Sequence, residues 1–391
     1  MKFFKVICAL LLVFFMGCGT APKKKTVCLN MIVKNESQVI EKCLASVKPL
    51  IDYWVIVDTG SDDNTKEIVK KCMKGIPGEL HEKPWVNFAH NRNEALALAK
   101  NKGDYVLLID ADEMLQLSDD FSLPVLEKDL YYIPVREVGV AEFKRNGLIN
   151  NHLNWSWQGV VHEAIFCAEM QSSETLKGVV NLCNTHPKDA SGRSRQSDCE
   201  KYLRDAVTLE KALKEEPTNS RYAYYLGISY AMAEQYALAK KSFEKRIAMP
   251  SGNIEETFMG LYFLGVAQVK LNELDAALET FSKAHRFRPT RAEPLLASAI
   301  IHRMKGDRLQ AYQLVKQALS LPYPQNDNFV MYAVYDYEML LELSICAFQL
   351  EKIQEGFDTC GKLLANSNLP SAQRSMVQAN YDLARKMLTQ N

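Results

Sequence analysis

The segment LLIDADEML at 107–115 ends an apolar run in three acids, Asp110, Asp112 and Glu113. The letters DYVLLID at 104–110 predict a buried strand, and side chains two positions apart on a strand point to the same side. We therefore expect the carboxylates of Asp110 and Asp112 to converge. Two carboxylates at such a short distance repel each other unless a cation lies between them, and carboxylate oxygens are suitable ligands for Mg²⁺ or Mn²⁺. The segment indicates a divalent cation site, although acids that merely cap a strand exit fit these letters as well.

Strands and helices alternate from Val27 to Asp110, which predicts a mostly parallel sheet with helices on its faces. The predicted elements are, in order, strand VCLNMIV, a helix at 37–47, strand YWVIVD, a short helix with Ile68, Val69 and Cys72, a weaker strand near Leu80, a helix at 88–101 and strand DYVLLID. Ligands of such sheets bind beyond the carboxyl ends of the strands, where Asp58 and Asp110 lie. Residues 129–183 are strand-rich and are expected to complete the same domain.

The length and charge of the chain limit its architecture and its partners. A chain of 391 residues with 47% hydrophobic content exceeds the size at which one core keeps growing, so two domains are expected. Lys plus Arg and Asp plus Glu both number 47, without a long basic block, so nucleic acid is not an expected partner. The cysteines after Cys18 form no C-x-x-C pair, which favours buried free thiols over a zinc site or a disulfide framework.

Residues 1–25 have the composition of a targeting segment and tether. Lys2 and Lys5 precede an apolar run at 6–16, which is too short to span a bilayer and suits a secretory signal. The letters FMGC resemble a bacterial lipoprotein cleavage box, which implies lipidation of Cys18 and a membrane anchor. An uncleaved hydrophobic anchor is the alternative. The sequence leaves open which side of the membrane the protein faces.

The chain beyond the SDCE capping box at Ser197 predicts helices that repeat. Three positions recur with internal offsets of 12 and 16 in three copies, namely Gly227, Ala239 and Phe243, then Gly265, Ala277 and Phe281, then Ala299, Ala311 and Val315. A fourth, degenerate copy surrounds Ser344, Gly356 and Cys360. Small residues let the two helices of a hairpin cross closely, so a helical solenoid is predicted, with an irregular bundle as the alternative.

Three stretches together carry a family resemblance: MIVKNE at 31–36, VIVDTGSDDNT at 55–65 and FAHNRNEALALAKNKGDYVLLIDADE at 88–113. In this order and spacing they resemble the GT-A glycosyltransferases of family 2, in particular the bacterial group whose catalytic domain precedes tetratricopeptide repeats. The resemblance implies an α/β GT-A domain at 26–196 and an all-α tetratricopeptide-repeat domain at 197–391.

The resemblance also implies an activity, namely inverting, hexosyl-type transfer from a UDP-linked donor to a protein, peptide or glycan acceptor held partly by the repeats. By this resemblance, Asp58 would contact the base of the nucleotide sugar and Arg92 its phosphates. Asp110 with Asp112 would be the DxD pair that meets the ribose and a divalent metal, Mn²⁺ or Mg²⁺. A cation and a guanidinium would stabilise the charge that develops on the departing nucleoside diphosphate.

The later segment GVVHEAI supplies further candidates. Inversion requires a carboxylate that takes the acceptor's proton, and Glu163 is the best-placed acid there. His162 is a candidate metal ligand, and so is His186, because GT-A domains commonly take a ligand from that late position; lone histidines are also often structural. Lys34 and Glu36 could line the donor crevice or could be ordinary surface turn residues.

Two other functions fit parts of the sequence. A repeat-containing adaptor with an inactive GT-A domain is the main alternative, and the repeats could bind a protein partner in either case. A phosphatase of the haloacid dehalogenase type also places D-x-D after a strand, but it requires the first strand and a Thr or Val where this chain has Met114. The anchor raises one conflict, because a secreted lipoprotein would face a compartment without nucleotide sugars.

Overall fold

The computed structural model describes residues 24–137, 141–183, 198–250, 253–324 and 327–389. Its first part is an α/β domain with the elements β1 (Val27–Val33), α1 (Ile40–Val47), β2 (Tyr53–Asp58), α2 (Thr65–Cys72), β3 (Gly78–Glu82), α3 (Phe88–Ala99), β4 (Tyr105–Leu108), β5 (Glu113–Leu117), β6 (Leu130–Glu137), β7 (Ala141–Asn150), β8 (Ser156–Gln158), β9 (Ala164–Phe166), β10 (Ser173–Thr175) and β11 (Val179–Cys183).

The second part is helical, with the elements α4 (Asp198–Glu215), α5 (Ser220–Met232), α6 (Tyr236–Ala248), α7 (Ile254–Lys270), α8 (Leu274–Phe287), α9 (Glu293–Met304), α10 (Arg308–Leu319), α11 (Met339–Gln349), α12 (Ile353–Ala365) and α13 (Ser371–Thr389). A short 3₁₀ helix at Lys48–Leu50 and a π-helical turn at Val334–Glu338 complete the described elements. The predicted order, an α/β domain followed by an all-α domain, is confirmed.

One large sheet organises the α/β domain, with the strand order β3-β2-β1-β4-β7-β6-β11-β5 and with β10 beside β6. The strands β3, β2, β1 and β4 are parallel, as the sequence predicts, whereas β7 is antiparallel to both β4 and β6. Strands β8 and β9 form a separate antiparallel hairpin. The sheet therefore has a parallel half, where a ligand crevice is expected, and a mixed half that closes its side.

Helices cover both faces of β1, β2 and β4 in the parallel half, which explains why these three strands are mainly apolar. On one face, α1 buries Ile40, Cys43, Leu44 and Val47 at helical spacing against residues of β1, β2 and β4. On the other face, Leu96 and Ala99 of α3 pack against the alternate residues of the same strands. These two layers fix the carboxyl ends of β1, β2 and β4 in one row.

The helical part consists of hairpins in which a small residue on one helix meets a large one on the other. A Cβ atom added at Gly227 would lie 2.5 Å from the Phe243 ring, and one at Gly265 would lie 2.6 Å from the Phe281 ring. Each hairpin turn also has one residue of positive φ at the same place: Glu234, Asn272, Gly306 and Glu351. The predicted repeats, including the degenerate fourth copy, therefore share one geometry. Among the described residues, no helix combines the length and apolar character needed to cross a bilayer.

The close crossing in the second hairpin predicts opposite effects for two glycines of α7. Gly265→Ala should lower the free energy of unfolding by about 1–3 kcal/mol, because its methyl group overlaps the Phe281 ring. Gly260→Ala, whose Cβ would lie 3.8 Å from the nearest side-chain atom, should instead stabilise the helix by about 0.5–1 kcal/mol. Urea unfolding followed by circular dichroism tests the pair. Equal effects of the two substitutions would contradict the crossing geometry.

Candidate active site

The parallel register brings the ends of three strands together. Val33 of β1 lies opposite Asp58 of β2, and Asn30 of β1 lies opposite Leu108 of β4. The loops that follow these strands therefore leave the sheet at the same edge. They carry Lys34, Glu36, Asp110 and Asp112, and Asp58 is the last residue of β2.

Asp58 ends β2 and is fully buried. Its Oδ1 accepts hydrogen bonds from the backbone N–H groups of Gly60 at 2.9 Å and Ser61 at 2.7 Å. Gly60 has a φ of 105°, which favours glycine and lets the turn close on the carboxylate. Oδ2 has no hydrogen-bond partner within the described part of the chain. A buried carboxylate oxygen is therefore available to an N–H donor of a ligand.

The loop after β1 is tied to the loop after β2. The backbone N–H of Asn35 donates to Ser61 Oγ at 2.9 Å, and that of Glu36 donates to Thr65 Oγ1 at 2.8 Å. Asn35 has a φ of 56°, and the Lys34 side chain is exposed. Lys34 and Glu36 thus border the Asp58 end of the crevice, on a loop whose backbone is fixed.

A turn, and not strand alternation, brings the DxD acids together. Strand β4 ends at Leu108, so the expectation that the strand continues to Asp110 is wrong. The backbone N–H of Glu113 donates to Asp110 O at 3.1 Å, and the N–H of Asp110 donates to Glu113 Oε2 at 3.1 Å. The chain turns over through Asp112 and enters β5. The acids therefore converge because the turn is tight.

Arg92 of α3 joins two of the predicted site residues. Its Nη2 lies 2.6 Å from Asp110 Oδ1 and its Nε lies 2.7 Å from Glu163 Oε1, while the guanidinium stands 4.9 Å from the centroid of the Trp157 ring. Burial disfavours its charge, but Asp110 and Glu163 outweigh this and raise the pKa of Arg92. Its side chain is only 15% exposed. Arg92 is thus engaged with two protein carboxylates, and its contact with the donor phosphates stays a prediction.

Arg145 on β7 is a member of the site that the sequence analysis missed. It forms an ion pair with Glu113, and its Nη1 lies 3.6 Å from Asp110 Oδ2. Its side chain is 40% exposed. No local motif marks Arg145, because it reaches the site only through the antiparallel pairing of β7 with β4.

Glu113 is buried and fully engaged. Besides its ion pair with Arg145, its Oε2 accepts a hydrogen bond from Asn181 Nδ2 at 2.9 Å. Glu113 therefore supports the turn from below and is a poor candidate for a proton acceptor in the crevice.

Asp112 carries the unbalanced charge of the turn. Burial, followed by the nearby charges of Asp110 and Glu113, raises its pKa to about 6. Against burial, Arg92 and Arg145 hold the pKa of Asp110 below its ordinary value. Within the described residues, no lysine, arginine or histidine forms an ion pair with Asp112. The carboxylate of Asp112 is therefore the one that a bound cation would relieve.

The predicted ligand His162 packs against a repeat helix. Across the described ranges, no three His, Cys, Asp or Glu side chains are grouped to hold a metal. The His162 ring instead stacks on the Tyr225 ring of α5, with centroids 4.3 Å apart and planes inclined by 13°. His186 and Cys18 lie outside the described residues. Of the two predicted metal ligands that the structure describes, Asp112 and His162, Asp112 is the one whose surroundings would favour a bound cation.

Comparisons with known proteins identify the family of the segment that carries Asp58, Arg92, Asp110 and Asp112. Residues 28–128 match the family model described as glycosyl transferase family 2. A TPR repeat-containing protein of Synechococcus elongatus is 25% identical over 78% of this chain and 77% of its own length. The SPbeta prophage-derived glycosyltransferase SunS of Bacillus subtilis is 25% identical over 52% of this chain and 48% of its own length. An uncharacterized glycosyltransferase of Rickettsia bellii is 34% identical over 25% of this chain and 31% of its own length.

Solved repeat structures align with nearly half of the chain. A thermophilic TPR protein of Thermus thermophilus covers 46% of this chain and 91% of its own, with 20% identity and a TM-score of 0.35. YrrB, a TPR protein with an unusual peptide-binding site, covers 50% of this chain and 88% of its own, with 17% identity and a TM-score of 0.34. The family prediction is confirmed by the model match: residues 28–128, which include Asp58, Arg92, Asp110 and Asp112, match glycosyl transferase family 2, and helical repeats follow in the same chain.

Proposed function

We propose that the protein is a metal-dependent, inverting glycosyltransferase that binds a nucleotide-sugar donor at the carboxyl edge of β1, β2 and β4. The observation that carries this proposal is the set of three carboxylates at one edge, each in a different state. Asp58 offers a bare buried oxygen, Asp112 has a raised pKa, and Glu163 is held by Arg92. An acid with a raised pKa in a sheet crevice, as Asp112 is, is typical of functional sites.

Asp58 is proposed to bind the base of the donor. A uracil ring presents an N–H donor, and the unpartnered Oδ2 of Asp58 is an acceptor already removed from water. An unsatisfied buried acceptor gains more from such a hydrogen bond than an exposed one. This favours a UDP-linked donor.

Asp112 is proposed to hold the divalent metal together with the donor's phosphates. Mg²⁺ is commonly bound through one or two carboxylates plus substrate phosphates, and carboxylates also suit Mn²⁺. When bound, the metal would stabilise the negative charge of the departing nucleoside diphosphate. Arg145, which is the more exposed of the two arginines beside Asp110, is proposed to face the same phosphates. Arg92 is proposed to position Asp110 and Glu163.

Glu163 is proposed to be the general base. It would accept the proton of the acceptor's hydroxyl while that oxygen attacks the anomeric carbon opposite the leaving group, so that a single displacement inverts the configuration. The Arg92 contact leaves Glu163 Oε2 free of that ion pair and fixes where it points. The acceptor, a protein, peptide or glycan, is proposed to reach this carboxylate from the repeats, which lie against the neighbouring His162.

The role of Asp58 predicts the behaviour of Asp58→Asn. An asparagine can still accept both turn hydrogen bonds through Oδ1, so the melting temperature should stay near that of the wild type. Its amide group would face the ligand's N–H with another donor, and the affinity for UDP should fall about 10-fold or more. Calorimetric titration with UDP and Mn²⁺ measures this loss. Unchanged UDP affinity in a folded Asp58→Asn protein would remove Asp58 from the donor site.

The raised pKa of Asp112 predicts a pH-dependent effect of Asp112→Asn. The folded wild type takes up a proton near pH 6, whereas the unfolded chain does so near the ordinary value of 3.8, so wild-type stability falls as the pH rises through this window. At pH 7.5 and without metal, Asp112→Asn should therefore melt higher than the wild type, and this gain should vanish toward pH 4.

The same variant should lose the stabilisation that Mn²⁺ with UDP gives to the wild type, and wild-type metal binding should weaken below about pH 6. Asp119→Asn, which changes an exposed acid two residues beyond β5, is the matched control and should behave as the wild type. A Mn²⁺-dependent rise in melting temperature that survives in Asp112→Asn would contradict the metal assignment.

The role of Glu163 predicts a loss of turnover without a loss of donor binding. Glu163→Gln keeps the shape and removes the basicity, so hydrolysis or transfer of a UDP-hexose should slow by about 10²-fold or more. UDP affinity should change by no more than about twofold. Glu174→Gln, on the exposed strand β10, serves as the control. A parental rate in Glu163→Gln would require another base.

A further inference from the structure

The loop that carries Glu163 has both ends in the α/β domain, whereas its middle contacts the repeats. It spans 159–163 and joins β8 to β9, with Gln158 opposite Ala164 as the last pair of the hairpin. Gly159 has a φ of 112° and His162 has a φ of 53°. A left-handed conformation is unfavourable for histidine, so it persists only where contacts hold it.

The base of this hairpin is fixed to α3. Asn93 Nδ2 donates to Trp157 O at 2.9 Å, and the Trp157 N–H donates to Asn93 Oδ1 at 2.8 Å. The Trp157 ring lies beside the Arg92 guanidinium, and Arg92 in turn binds Glu163. These contacts locate the two strands but do not reach the middle of the loop.

The middle of the loop is held by the first repeat. The His162 ring stacks on Tyr225, and Arg221 Nη2 donates to the carbonyl oxygen of His162 at 2.9 Å. Arg221 also lies over the Tyr225 ring, 4.7 Å from its centroid, and forms an ion pair with the buried Glu256 of the second repeat. These two contacts of His162 come from side chains whose own positions are fixed within the solenoid.

Val161 anchors the same loop by burial. It is 8% exposed and belongs to the hydrophobic cluster formed by α4 and the first repeats, with Val160 packed against that cluster. The residue two positions later is Glu163. The buried Val161 side chain thus ties the loop to the repeat domain two residues before Glu163.

We propose that the first repeat is part of the catalytic machinery in one specific sense: Tyr225 and Arg221 are positioning residues that hold the loop and so place the Glu163 carboxylate. This inference rests on the proposed role of Glu163. It implies that the repeats set the rate of the chemical step as well as the choice of acceptor. A base displaced by about 1 Å can lose a factor of about 10² in rate, so a loose loop would slow turnover without weakening the donor.

Tyr225 gives a cleaner test than Arg221, because removing Arg221 would leave Glu256 buried without its ion-pair partner. In the full chain, Tyr225→Ala should lower the kcat of UDP-glucose, UDP-galactose or UDP-N-acetylglucosamine hydrolysis about 10-fold or more, with the donor KM within about twofold. Amide hydrogen exchange should become faster in the segment 158–166. Tyr225→Phe retains the stacking ring and should restore both the kcat and the slow exchange.

Phe263→Ala is the matched control, because Phe263 occupies the position of Tyr225 one repeat later, as Gly265 corresponds to Gly227. Phe263 packs on Phe243 inside the solenoid, so its removal weakens the repeats without touching the loop. It should leave exchange in 158–166 and the kcat at wild-type values. Equal losses in Phe263→Ala and Tyr225→Ala would overturn the inference, because general loosening of the solenoid would explain them.

The positioning role and the role of Glu163 fail in different ways. Unchanged exchange in 158–166 of Tyr225→Ala overturns the positioning role, whatever the activity of the enzyme. Faster exchange together with full activity of both Tyr225→Ala and Glu163→Gln overturns the proposed base and, with it, the catalytic meaning of the contact. A slow Glu163→Gln beside an unaffected Tyr225→Ala leaves the base in place and overturns the positioning role alone.

Discussion

Arg92 holds two carboxylates that would otherwise repel each other in a partly dry crevice. Asp110 comes from the turn after β4 and Glu163 from the β8–β9 loop, and the guanidinium of α3 stands between them. Removing one partner of a buried ion pair typically costs about 3–5 kcal/mol, because the other charge is left without compensation. The geometry of the crevice thus depends on one helix residue that both halves of the site share.

The charged side chains around Arg92 carry more negative than positive charge. Arg92 and Arg145 between them contact Asp110, Glu113 and Glu163, whereas Asp112 has neighbours of its own sign and a raised pKa. The ion pairs of Arg92 and Arg145 therefore leave the carboxylate of Asp112, at the tip of the turn, without an ion-pair partner among the described residues. A cation with a phosphate-bearing ligand would complete the balance, and this is the physical basis of the proposed metal dependence.

The sequence was sufficient for features that depend on local pattern. Strands β1 and β2 begin and end where their apolar runs do. The recurring glycines Gly227 and Gly265, each spaced 16 residues from a phenylalanine, indicate where the helices of a hairpin cross. The local sequence pattern does not predict the structure where an ion pair or a hydrogen-bonded turn determines it. DYVLLID reads as one strand, yet the chain turns after Leu108, because Asp110 and Glu113 hydrogen-bond each other's backbone. Arg145 and Tyr225 reach the site through pairings of distant elements, which leave no mark in the surrounding letters.

Some residues of the site lower the stability of the folded protein. This bears on whether the protein is an enzyme or an adaptor that only binds through its repeats. A buried Asp58 oxygen without a described partner and an Asp112 with a raised pKa each disfavour the folded state at neutral pH. An adaptor would be more stable with neutral residues at both positions. A ligand that donates to Asp58 and a cation at Asp112 would offset both costs, and the position of these acids at the edge where parallel strands end favours an enzyme over an inactive scaffold.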